Sequence, residues 1–160
     1  MKINYNTIEK IIKKLASENQ TVSFAESCTG GRIAAAFTSI SGSSAVLNGS
    51  VVTYSNDIKH KWLGVDQEVL ENFGAVSSQC VSQMLKGIQH FAGSDYALAV
   101  SGIAGPTGGT EEKPVGTVYI GVITPFKQEV FQCFFKGERE DVQEQSTAFA
   151  ITKLTDVLEI

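Results

Sequence analysis

The chain has 160 residues, 42% of them hydrophobic, and a formal net charge of -4, which suits one globular domain, residues 1–160, with a full core. Thirteen Lys+Arg against 17 Asp+Glu, with no basic cluster, exclude a surface built to grip a phosphate backbone, so no nucleic-acid partner is expected. No apolar run approaches the ~20 residues of a membrane span and the start lacks a signal peptide's apolar segment, so no membrane partner and a cytoplasmic location are expected.

Asn6 followed by Glu9 resembles a capping box, and Ile8, Ile11, Ile12 and Leu15 fall at helical spacing, predicting a helix over Thr7 to Glu18. Thr21 to Ala25 reads as the first strand. After a turn at Gly30-Gly31, Ile33 to Ile40 returns to helical spacing and stops at Ser41-Gly42-Ser43-Ser44. Leu47 to Tyr54 reads as a second strand. Ser55 is placed to cap a short helix through Leu63, closed by Gly64, and Asp66 to cap Gln67 to Asn72. Ser77 starts a longer helix to about Phe91. Tyr96 to Val100 is almost uninterruptedly apolar, as in a strand buried on both faces. A glycine-rich loop, Ser101 to Pro114, leads to a hairpin of Val115 to Ile123 and Glu129 to Phe135 joined through Pro125-Phe126. Arg139 to Leu158 is the closing helix.

Strands alternating with helices, then a hairpin and a last helix, predict an α/β fold: a three-layer α/β/α sandwich with a mixed, mainly parallel sheet. In such sheets ligands sit beyond the carboxyl ends of parallel strands. Ser27, Tyr54 and Ser101 each close a predicted strand, so parallel strands would bring their three turns to one edge.

Ser27 follows the first strand and precedes a helix start, where unpaired backbone N–H groups of the Thr29 to Gly31 turn could hold an oxyanion. A serine nucleophile needs a base, and Lys59, near the start of its helix and partly desolvated, is the candidate; the Tyr54 hydroxyl could orient it. The same residues also read as a solvated helix lysine beside Lys61 and an ordinary strand aromatic. Cys28, with His60 or His90 as base, is a rival nucleophile, although its position one step past the strand favours the core. Cys28, Cys80 and Cys133 are scattered and with two histidines offer neither a disulfide framework nor a metal site. The loop from Gly102 to Thr110 matches neither a dinucleotide nor an ATP fingerprint, so no cofactor is expected; its backbone can approach a ligand closely and form an anion nest. Glu111-Glu112-Lys113 reads as its solvated outer face. Arg139 is either an ordinary first-turn residue or a fork for phosphate or carboxylate.

Five ordered motifs resemble the CinA C-terminal domain family: Ala25-Glu26-Ser27-Cys28-Thr29-Gly30-Gly31; Tyr54-Ser55-Asn56 with Lys59 and Leu63-Gly64-Val65; Gly74-Ala75-Val76-Ser77; Ser101-Gly102-Ile103-Ala104-Gly105-Pro106 with Gly108-Gly109; and Pro114-Val115-Gly116-Thr117-Val118. Stand-alone members of that family are nicotinamide-nucleotide amidases, and this chain, beginning at the first helix, resembles the stand-alone form. The resemblance implies metal-free hydrolysis of nicotinamide mononucleotide to nicotinate mononucleotide and ammonia, in pyridine-nucleotide salvage, by a homodimer or larger homo-oligomer. It implies Ser27 as nucleophile, Lys59 and Tyr54 as its activating partners and Glu26 as a supporting neighbour. The expected substrate site is Glu26, Thr29, Gly30, Gly31, Ser101, Gly102, Gly105, Gly108 and Arg139, of which the resemblance implies Ser101, the glycine loop and Arg139. The family's second arginine in the last motif is Gln143 here. A catalytically silent nucleotide-binding module of the same family is the alternative.

Overall fold

The computed structural model describes residues 1–160. Helix α1 (Tyr5–Ser17) leads into β1 (Val22–Glu26) and α2 (Arg32–Thr38), and a single 3-10 turn, Ser43–Ala45, precedes β2 (Leu47–Val52). Then come α3 (Asn56–Leu63), α4 (Gln67–Asn72), α5 (Ser78–Ala92) and β3 (Tyr96–Gly102), and finally the hairpin β4 (Thr117–Ile123) with β5 (Gln128–Phe134) and α6 (Arg139–Leu158). The first helix starts two residues earlier than its spacing predicts, because Asn4 and not Asn6 is the cap: its side chain accepts from the Thr7 N–H. Ser55 and Ser77 cap α3 and α5 through the Ile58 and Cys80 N–H groups, and Gly64 closes α3 in the left-handed region at φ 70°.

The five strands lie in the order β2-β1-β3-β4-β5. β1 pairs parallel with both β2 and β3, and β4 pairs antiparallel with β3 and β5, so four strands run one way and β4 alone runs back. The sheet is therefore mixed, with a parallel half where the two early crossovers lie. No helix is long and apolar enough to cross a membrane.

Alternation along the strands sorts the core into two layers. Val22 and Phe24 of β1, Leu98 and Val100 of β3, and Val118, Ile120 and Val122 of β4 pack under α1, α2 and α6. Ala25, Ala97 and Ala99 face α5 on the other side, with Leu63 and Val65 beside it. Small residues on that face let α5 approach closely: a Cβ at Gly121 would stand 2.5 Å from Leu85 Cδ1. Helix α3 rests on α5 in the same way, since a Cβ at Gly87 would stand 2.1 Å from the Leu63 carbonyl oxygen. Backbone cannot give as a flexible side chain can. Gly87→Ala is expected to destabilise by about 2 kcal/mol, the overpacking cost exceeding the roughly 1 kcal/mol gained in helix propensity. Urea unfolding with an unchanged slope and a lower midpoint is the measurement that checks it.

Candidate active site

The same alternation sets the chemistry at the end of β1. Glu26, in phase with Val22 and Phe24, faces the α2 layer, while Ser27 faces the α3 and α5 layer. The ladder runs one step beyond the strand, with the Thr53 N–H donating to the Glu26 carbonyl at 2.9 Å, and this holds the two strand ends level. Because β1, β2 and β3 are parallel, Ser27, Tyr54 and Ser101 emerge together and line one cavity of about 260 Å³.

Lys59 reaches that cavity from α3. Its side chain is 1% exposed, and Nζ lies 3.1 Å from Ser27 Oγ, 2.8 Å from the Thr53 carbonyl oxygen and 3.2 Å from that of Tyr54. No carboxylate pairs with it. Burial therefore dominates and pushes its pKa below the ordinary 10.5. A neutral lysine amine has two N–H donors and one lone pair. The two carbonyls can take both donors, which leaves the lone pair for the Ser27 hydroxyl proton.

Tyr54 reaches Lys59 through its carbonyl and not, as expected, through its hydroxyl. The residue is 61% exposed, and its phenol oxygen accepts from Arg139 Nη2 at 3.1 Å. Arg139, the first residue of α6, also donates from Nη1 to the Gly105 carbonyl at 2.7 Å, so it ties the glycine loop to the β2–α3 connection. Ser101, Gly102, Gly105, Gly108 and Arg139 all line the cavity. Lys59 and Arg139 are the only basic residues of its lining and none is acidic, so with Lys59 neutral the fixed positive charge is that of Arg139. The backbone N–H groups of Cys28, Ala104, Gly105, Thr107 and Gly108 have no partner within the chain.

Glu26, Thr29, Gly30 and Gly31 were expected at the substrate, and none of them lines the cavity. For Glu26 and Thr29 the reason is the carboxylate. Glu26, fully buried, accepts from the Ile33 and Ala34 N–H groups, each at 3.0 Å, and from Thr29 Oγ1 at 2.7 Å. A negative charge at the start of α2 thus satisfies the Ile33 and Ala34 N–H groups and the helix dipole, and does not touch the N–H groups of Thr29 to Gly31 that were expected to hold the oxyanion. Gly30 spends its N–H on the Ser27 carbonyl at 3.0 Å. The rival nucleophile Cys28 packs in the core, where burial pushes its thiol up to about 12 and leaves negligible thiolate at neutral pH.

Cys28, Asn56, Ala75, Val76, Ile103, Ala104 and Thr107 complete the lining. Ala75 and Val76 stand in the third of the recurring motifs, although apolar side chains in a connection carried no chemical signal. Lys113, read from sequence as solvated loop surface, donates to the Phe73 carbonyl at 2.6 Å and so ties the glycine loop to that connection. Gln143, one turn after Arg139, donates from Nε2 to the Cys28 carbonyl at 2.9 Å.

An α/β/α domain with a buried serine-lysine pair and a pocket lined by Arg139 and no acidic side chain, at the end of its parallel strands, is the class that fold and site define. The profile of the CinA C-terminal domain matches residues 4–158, and the chain belongs to that family. It is 49% identical over 144 residues to a protein of Enterobacter agglomerans named nicotinamide-nucleotide amidohydrolase PncC, covering 86% of this chain and 84% of that one. A CinA-like protein of Endomicrobium trichonymphae is 51% identical over 93% of this chain, which spans 35% of that relative's length. Among solved structures, the competence/damage inducible protein CihA of Agrobacterium tumefaciens is 39% identical with a TM-score of 0.93, covering 98% of this chain and 95% of that one.

Proposed function

We propose that the chain hydrolyses the carboxamide of nicotinamide mononucleotide to nicotinate mononucleotide and ammonia, a step of pyridine-nucleotide salvage, with Ser27 as nucleophile and Lys59 as its base. The observation that carries this reading is the buried hydrogen bond between Lys59 Nζ and Ser27 Oγ, with two backbone carbonyls fixing the amine. The Enterobacter agglomerans relative's name supports the substrate. The Arg139 guanidinium, with no carboxylate in the lining, supports a phosphate-bearing ligand.

Neutral Lys59 takes the hydroxyl proton as Ser27 Oγ attacks the carboxamide carbon. Since none of Thr29, Gly30 and Gly31 lines the cavity, the oxyanion falls to unpaired backbone donors of the cavity wall, of which Cys28, next to the nucleophile, is one. Protonated Lys59 then gives its proton to the departing nitrogen, ammonia leaves, and water resolves the acyl ester with Lys59 again as base. Arg139 and the N–H groups of Thr107 and Gly108 bind the phosphate.

Ammonia release should be measured from the mononucleotide, its riboside and free nicotinamide. The mononucleotide is expected to be the preferred substrate. Arg139→Leu removes charge-assisted bonds of about 1.5–3 kcal/mol, so KM for the mononucleotide should rise about 10- to 100-fold and that for the riboside little. Equal turnover of riboside and mononucleotide would reject the phosphate assignment. Calorimetric binding of the mononucleotide with no ammonia formed would point to the silent binding module.

A further inference from the structure

We propose that Gln143 is a positioning residue for Ser27, acting through the carbonyl of Cys28. The proposal rests on Ser27 being the nucleophile and on nothing about the substrate.

The Gly30 N–H donates to the Ser27 carbonyl at 3.0 Å, which closes a four-residue turn with the Cys28-Thr29 peptide at its centre. Neither Cys28 nor Thr29 has a positive φ. The carbonyl of that central peptide, Cys28's, accepts no backbone N–H, so nothing within the turn itself holds its tilt. Here the Gln143 amide, on a side chain only 7% exposed, donates to the central carbonyl at 2.9 Å from the second turn of α6. Four residues earlier on the same helix, Arg139 holds the Gly105 carbonyl and the Tyr54 hydroxyl. Residues four apart share a helix face. One face of α6 therefore fixes the nucleophile turn, the glycine loop and the β2–α3 connection against one another.

The need for this bond lies at the other end of the pair. Lys59 Nζ is held from two sides by the Thr53 and Tyr54 carbonyls, so it cannot follow Ser27 if the turn shifts. Ser27 Oγ stands at 3.1 Å, near the long end of the useful range, and a further half ångström would end proton transfer. Ser27 is tied to its own turn, and Gln143 ties that turn to the helix.

The test follows Ser27 itself. A fluorophosphonate reagent bonds phosphorus to Ser27 Oγ, fluoride leaves, and the hydroxyl proton passes to Lys59; the rate is read by mass spectrometry in the intact protein. Gln143→Met keeps the side chain's length and removes its donor. Labelling is expected to slow by about tenfold or more, with the melting temperature within a few degrees of wild type, and the mononucleotide reaction should lose kcat with KM little changed. Gln143→Arg, which restores an N–H donor, should recover most of the labelling rate. If Gln143→Met does not fold, Gln143→Asn, one methylene too short to reach the carbonyl, is judged by the same criterion. Equal labelling of wild type and the donor-less variant, or a Gln143→Arg protein as slow as Gln143→Met, would overturn the proposal. A wild-type Ser27 inert to the reagent overturns it together with the nucleophile assignment. Wild-type Ser27 that labels while the mononucleotide is left intact removes the proposed substrate and leaves the positioning role standing.

Discussion

Ser27→Ala and Lys59→Met are each expected to lower ammonia release from nicotinamide mononucleotide by about 10⁴-fold or more, since a nucleophile and its base act as one unit. Neither loss should come from unfolding. Ser27 contributes one hydroxyl at a cavity wall. Lys59→Met removes two hydrogen bonds to backbone carbonyls, roughly 1 kcal/mol each, but also an amine whose charged form costs several kcal/mol to bury. The variant is therefore expected to melt no lower than wild type. The pH dependence follows from the direction of the Lys59 shift. Burial sets its pKa below 10.5, and only the neutral amine accepts the proton, so kcat/KM should rise tenfold per pH unit up to that pKa and then level. Folding is linked to the same group. Between the folded pKa and 10.5 the unfolded chain binds more protons, so this lysine's contribution to stability grows as pH rises through that window. Full activity in either variant, or a rate flat with pH up to 10.5, would reject the pair.

Glu26→Ala should have the largest effect on stability. The carboxylate is fully buried and satisfies two backbone N–H groups of α2 and the Thr29 hydroxyl, while Gly31, at the cap position of α2, has no side chain to replace it. Each orphaned buried donor costs about 1–3 kcal/mol, and at the low end of that range the three donors and the vacated volume together come to about 3–5 kcal/mol. By the usual scaling for a chain of this size, the melting temperature should fall by roughly 6–20 °C. Differential scanning calorimetry decides the matter. A fall of less than 2 °C would mean that water or a neighbouring side chain takes over the three donors.

The elements were readable where the signal was local. Capping serines at positions 55 and 77 and the apolar run of Tyr96 to Val100 each announce an element within a few residues, and the closing helix has the bounds its spacing predicts, Arg139–Leu158. The α1 cap was displaced because Asn4 and Asn6 are chemically equivalent candidates and only the backbone conformation separates them. Contacts across the fold were harder to read. Glu26 looks like a site carboxylate because it precedes Ser27, yet it serves the helix seven and eight residues on. Tyr54 shows an aromatic ring in sequence, while the atom that meets Lys59 is a carbonyl, which every residue has. Gln143 lies 115 residues from the carbonyl it holds, a distance over which no spacing rule operates.

The two packing layers have a consequence for how the protein fails. Cys28, beside the nucleophile, is packed in the larger core under α1, α2 and α6, whereas Leu63, at the end of the helix that carries the base, belongs to the smaller core around α5. The two side chains meet on one side of the sheet, yet the backbone carrying Ser27 is anchored through the next residue in one packed body and the helix carrying Lys59 in the other, like an electrical contact whose points are mounted on different plates. Any loosening that lets one plate drift breaks the circuit while both remain intact, so catalysis reports on the seam between the layers before spectroscopy registers the loss of either.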